Sequence, residues 1–218
     1  MEPHFWHRRW RKNEIGFHRE DVNPLLERFW DQLGVAPAAP VLVPLCGKSV
    51  DLVWLKTRGH PVLGVELSPI AVAAFFAGEG LEPERLPWHS GSLWRAPGYQ
   101  LFCGDFFELT AEDLGSVAVG YDRAALIAFP PDWRPRYADH LRRLLPAGTP
   151  LLVITVEYDT AEMDGPPFSV PEAEVHHLFA GDEIVRLHAE EALELSPHLR
   201  QRGLTRLQEK VYRVVAGG

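Results

Sequence analysis

The stretch "VLVPLCGKSVDLVWL", residues 41–55, runs from an apolar strand through a loop with a single glycine, Gly47, into an amphipathic helix. That is the outline of a nucleotide-binding turn. "GKS" at Gly47, Lys48 and Ser49 invites a phosphate-loop reading, but that motif needs a second glycine five positions earlier so that backbone amides can wrap phosphates. The residue there is Leu42, inside the strand. A dinucleotide fold needs three glycines at the turn for close approach of a pyrophosphate, and only Gly47 is present. A ligand without a pyrophosphate has no need of that cradle.

Acidic residues survive where the phosphate signature fails. Glu66 ends the second apolar run, "PVLGVE", where a carboxylate accepts hydrogen bonds from ribose hydroxyls. A ribose without a diphosphate points to an adenosyl group. "CGDFFEL" ends a third run with Asp105, followed by Phe106 and Phe107, which supply one hydrogen bond and one stacking face for adenine. A fourth run ends in Asp122 and Arg123, and a guanidinium there suits a carboxylate or an anionic substrate. Each feature also has a plain reading: a solvated strand-end Glu, an Asp cap, a core pair of phenylalanines, an internal Asp–Arg ion pair.

Outward from this turn, β-rich runs alternate with helical patterns through residue 158, and two later runs, "DEIVRLHAE" and "RLQEKVYRVV", read as a closing pair at a sheet edge. The expectation is one α/β domain over 1–218, Rossmann-like, with a mostly parallel sheet of about seven strands and helices on both faces. Ser68 before Pro69, and Thr110 before Asp113, mark helix starts. "NPLLERFWDQL" reads as an amphipathic helix, and the aromatic and basic stretch before it is too polar for core. Residues 1–35 are therefore expected to form a covering segment. The chain has 46% apolar residues and a net charge of −8, which argues against nucleic acid as a partner. No run is apolar enough for a signal peptide or a membrane span. Cys46 and Cys103 fall at strand ends and suit a reducing cytoplasm. His176 and His177 are adjacent, so they do not face one metal from a helix, and no metal site is expected.

Together, "FWHRRWRKNEIGFH", "VPLCGKSVDLVWL", "GHPVLGVELSPIAV", "YDRAALIA" and "DGPPFSVPEAEV" resemble the thiopurine S-methyltransferase family in its bacterial form, from Phe5 to about Tyr212. The resemblance implies a class I methyltransferase fold with S-adenosylmethionine at the strand ends. It places the cofactor contacts on Trp10, Leu45, Glu66, Asp105, Phe106 and Arg123, and a substrate contact on Phe17, with Arg123 also favouring an anionic substrate. Family members place an arginine over the substrate before the last strand, but "SPHLRQRGLTR" aligns there only with a shift, which leaves Arg200 and Arg202 as weak candidates.

The implied chemistry is in-line transfer of a methyl group to the thiolate of an aromatic or heterocyclic thiol. It depends on positioning and water exclusion, with no dedicated base. Methylation of selenium or tellurium compounds is the alternative within the same resemblance. A nicotinamide-dependent oxidoreductase and a non-catalytic adenosyl-binding protein are the rivals from other classes. A monomer is expected, since no long heptad pattern or spare apolar helix is present.

Overall fold

Strands β1 (Val41–Val43) and β2 (Val62–Glu66) are buried at every residue, as continuous apolar runs are when a parallel sheet is covered on both faces. They belong to a computed structural model that describes residues 3–217. The expected domain, 1–218, and covering segment, 1–35, both begin at residue 1; residues 1, 2 and 218 lie outside the described residues. The chain forms two compact units, Met1–Gly120 and Tyr121–Gly218. No described helix is long and apolar enough to cross a membrane.

In the first unit, helix α1 (Pro3–Arg11) and helix α2 (Pro24–Phe29) precede β1. The stretch expected as one helix is α2 plus a 3-10 turn over Trp30–Leu33, closed by Gly34 at φ +65°. Helix α3 (Asp51–Thr57) links β1 to β2, and α4 (Pro69–Gly78) follows β2. Ser68 caps α4, its side chain accepting from the Ala71 amide at 3.4 Å, with Pro69 at the first helical position. Strands β3 (Glu84–Trp88), β4 (Gly91–Ala96) and β5 (Tyr99–Cys103) come next. Helix α5 (Ala111–Leu114) carries the Thr110–Asp113 capping box, and β6 (Val119–Asp122) ends in the second unit. The strands of this unit lie in the order β3-β4-β5-β2-β1-β6. β1 is parallel to β2 and β6, and β2 is parallel to β5, so the carboxyl ends of the central strands open on one edge.

The second unit contains α6 (Arg134–Leu144), β7 (Pro150–Glu157), α7 (Glu172–Leu178), β8 (Glu183–Glu191), α8 (Pro197–Gln201) and β9 (Gln208–Val215). β9 lies antiparallel between β7 and β8, which is the closing pair expected from the sequence. Lys210 of β9 is buried, and its ammonium lies 2.7 Å from Glu157.

All seven expected strands form, and the described residues hold nine. The two additional strands are the hairpin β3–β4, to which the sequence reading assigned no element. Pro87 and the polar residues of "ERLPW" hide its alternation, and β3 is mostly exposed at the sheet edge, where proline is tolerated. Gly91 makes the hairpin possible, because a Cβ there would lie 2.0 Å from the Cys103 carbonyl oxygen. A Cβ at Gly78, by contrast, meets nothing within 4 Å. Gly91→Ala is therefore expected to cost about 2 kcal/mol or more, while Gly78→Ala gains up to about 1 kcal/mol. Urea unfolding of the two variants checks the contrast.

Candidate functional site

The turn after β1 is built from unusual backbone. Leu45 has φ +50° and Gly47 φ +56°, and a left-handed leucine is held only where its surroundings over-determine it. Those surroundings are the end of β2. The Cys46 amide donates to the Val65 carbonyl at 2.9 Å. The Gly47 amide donates to Glu66 Oε2 at 2.9 Å, and the Ser68 amide donates to Oε1 at 2.7 Å. One carboxylate thus ties the β1 turn to the start of α4. The Gly47 amide that a phosphate loop would turn toward a phosphate is committed to Glu66.

Glu66 is buried, so the plain reading of a solvated strand-end residue is overturned. Burial pushes its carboxyl up to about 7, and the amides of Ser68 and Gly47 work against that rise. Each oxygen accepts one backbone bond and keeps a further lone pair. A buried carboxylate that the amides of Ser68, Gly47 and Leu67 only partly compensate is suited to additional hydroxyl donors. The residues present therefore fit a ribose diol. Cys46 and Cys103 are free and buried. Burial, with the Glu66 charge adding to it, raises both thiols above their ordinary value, which makes them inert.

Trp10 is buried, and its indole lies against the turn: a Cβ on Gly47 would sit 3.4 Å from Trp10 Cζ2. Phe17 stands edge-on to Trp10 at 5.8 Å and to Trp6 at 5.7 Å, remaining 38% exposed. Within the aromatic stretch that made poor core, Trp10 thus lies against the strand-end turn. A cleft between α1 and the start of α4 is lined by His4, His7, Arg11, Ser68, Pro69 and Ile70.

The register Glu66↔Cys103 and the bond from the Gly104 amide to the Glu66 carbonyl bring the start of the Asp105 loop beside Glu66. Asp105 is exposed. Its Oδ1 accepts from the Phe107 amide at 3.0 Å, so the cap reading holds for one oxygen. Phe106 is buried and Phe107 half-buried.

Arg123 follows β6 in the second unit. It is half-buried, and the ion pair with Asp122 does not form. Asp122 Oδ1 accepts from the amides of Ala125 (3.0 Å) and Leu126 (3.2 Å), and Oδ2 accepts from Tyr137 Oη at 2.7 Å. Arg200 pairs with Glu194, and Arg202 donates to the Pro166 carbonyl at 2.7 Å. Both are therefore committed to the fold. Sequence reasoning missed the roles of Ser68 and Tyr137. Ser68 was noticed only as a cap, and Tyr137 gives no local signal because its partner lies fifteen residues away.

A family model described as thiopurine S-methyltransferase matches residues 1–216. A thiopurine S-methyltransferase of Methylococcus capsulatus is 53% identical over 97% of this chain and 96% of its own length. One from Pseudomonas putida is 50% identical over 98% and 99%. Among solved structures, a S-adenosylmethionine-dependent methyltransferase from Anabaena variabilis matches at a TM-score of 0.67 and 14% identity, over 98% of this chain and 94% of that one. The 1,6-didemethyltoxoflavin-N1-methyltransferase of Burkholderia thailandensis, solved with S-adenosylhomocysteine, matches at 0.62 and 16%, over 98% and 87%. At such identities these structures establish the class I methyltransferase fold.

The buried carboxyl carries a stability signature. A carboxyl whose folded pKa is raised favours the fold when protonated, so its contribution is fully present below the unfolded value and is lost as pH rises through the folded one. For Glu66 that window closes at about 7. Without added ligand, the stability of the protein relative to Glu66→Gln should fall by about 3 kcal/mol between acid and pH 8. Urea unfolding of both proteins across this range checks it; parallel curves would mean that Glu66 is not desolvated.

Proposed function

The chain belongs to the thiopurine S-methyltransferase family, and from that premise we propose that it methylates aromatic or heterocyclic thiols by in-line displacement onto a thiolate. It is an S-adenosylmethionine-dependent methyltransferase of that family. The observation that carries the reading of its site is the Glu66 carboxylate, buried between two backbone amides with acceptor capacity left over. In this reading Glu66 accepts from the ribose hydroxyls, Leu45 and Trp10 border the same turn, and Asp105 and Phe106 meet the adenine by hydrogen bond and packing. Arg123 contacts the cofactor and favours the anionic acceptor, consistent with a guanidinium that forms no ion pair among the described residues. Phe17 meets the acceptor ring, and residues 1–35 act as a cover that excludes water.

When bound, the sulfonium supplies an activated methyl carbon with a neutral thioether as leaving group. The chain contributes position and dryness. Trp10 and its aromatic neighbours shield the strand ends from water, which strengthens the electrostatic contacts beneath them. Arg123 lowers the cost of the thiolate, because a nearby positive charge favours the ionised form of an acid. The thiol proton is lost to solvent before transfer, so no side chain has to remove it. We place the reaction in the cytoplasm and in a monomer; two free, buried thiols suit a reducing compartment.

Transfer from labelled S-adenosylmethionine to a panel of aromatic and heterocyclic thiols, with selenium and tellurium oxyanions as parallel acceptors, tests this. The expected outcome is label on the thiols, with turnover in Arg123→Lys reduced about tenfold because lysine keeps the charge and loses the planar fork. Label on the oxyanions alone, or on none of the acceptors, would overturn the acceptor assignment.

A further inference from the structure

Arg123 lies within a short loop that α6 pins at both ends. At the start, Asp122 is buried at the end of β6 and its carboxylate gathers three donors: the amides of Ala125 and Leu126 and the Tyr137 hydroxyl. At the far end, Arg134 is 1% exposed and donates from Nε to the Phe129 carbonyl at 3.0 Å. Its other nitrogens reach Ser169 O at 2.9 Å and Glu174 Oε2 at 2.6 Å. Arg134 and Tyr137 stand three residues apart on α6, which puts them on one face of the helix. That face fixes both ends of the segment carrying Arg123.

The two pins differ in what they constrain. Arg134 holds a carbonyl six residues beyond Arg123 and also serves the loop that leads to α7. Asp122 is the neighbour of Arg123, and its bonds to the amides of Ala125 and Leu126 wrap the chain into a tight turn around Arg123 itself. Tyr137 is fully buried, and its hydroxyl is a donor to one carboxylate oxygen, leaving the other for the amides. Without that donor the carboxylate must either turn an oxygen away from the amides or face apolar surroundings unpaired. Burial already pushes Asp122 up to about 6, against which the Tyr137 bond works. A buried carboxylate short of a donor loosens the groups that depend on it.

We propose that Tyr137, acting through Asp122, is a positioning residue for Arg123, holding its guanidinium in the orientation that meets the acceptor. This rests on the reading that Arg123 contacts the acceptor. Tyr137 itself touches neither reactant. Its contribution is to keep a long, flexible side chain anchored at its root, so that the planar fork arrives in one geometry and not in an ensemble.

A double-mutant cycle with an aromatic thiol as acceptor tests this. Tyr137→Phe is expected to lower kcat/KM for the acceptor about fivefold or more. In the Arg123→Ala background the same substitution is expected to change kcat/KM by less than about twofold, because the group it positions is gone. A loss from Tyr137→Phe that persists in full on Arg123→Ala would overturn the proposal, since a purely structural residue acts equally in both backgrounds. Arg123→Ala with unaltered kcat/KM would overturn the Arg123 reading itself, and the positioning role with it. Should Tyr137→Phe fail to fold, Asp122→Asn enters the same cycle. It keeps a carbonyl oxygen for the amides of Ala125 and Leu126, and the same two outcomes decide.

Discussion

The first unit depends on one carboxylate. Glu66 sits at the end of β2 with its oxygens spent on the amides of Gly47 and Ser68. Those bonds hold a left-handed Leu45 and Gly47 in place and fix where α4 begins. A buried carboxylate is costly unless donors surround it, and here they are backbone groups of two different loops. The arrangement therefore closes the strand-end turn and still leaves the carboxylate with unused acceptor capacity. A charged residue at this position is only partly solvated by the fold, and its raised carboxyl pKa reflects that shortfall.

The second unit repeats the device with a different outcome. Asp122 also ends a central strand and also gathers amides of the following loop, but its third donor is a protein hydroxyl, Tyr137. The set is complete, so Asp122 serves the fold by organising the loop that carries Arg123. Two strand-end acids of similar appearance in the sequence thus differ in that Asp122 has a side-chain donor opposite it and Glu66 is held by backbone amides. The difference is whether a buried side chain stands opposite. Nothing local in the sequence distinguishes them, because Tyr137 lies on a helix that packs back onto the strand end.

Much of the frame was legible for physical reasons. The lone Gly47 excluded phosphate cradles, and the runs ending in Glu66, in Asp105 and in Asp122 and Arg123 marked strands that the structure places side by side or in register. Ser68 and Thr110 marked helix starts through capping chemistry that acts within four residues. The β3–β4 hairpin was not legible, since an edge strand with one wet face and a proline lacks the alternation that identifies buried strands. The burial of Glu66 and the loss of the Asp122–Arg123 pair were not legible either. Both depend on which distant groups arrive at the strand ends. Trp10 and Phe17 were placed by resemblance; Trp10 packs on Gly47 and Phe17 packs on Trp10, which gives the aromatic segment before the first strand a place to pack.

The central claim is that Glu66 is a buried, partly solvated acceptor whose remaining donors come from the cofactor. Carbon-13 NMR of the Glu66 side-chain carboxyl, followed through a pH titration with and without S-adenosylhomocysteine, measures this directly. The account predicts titration near 7 without ligand. With ligand bound, it predicts a shift downward by about one unit or more, as hydroxyl donors stabilise the charge. Titration in the ordinary carboxylate range in both states, or a high value that the ligand leaves unmoved, would contradict it.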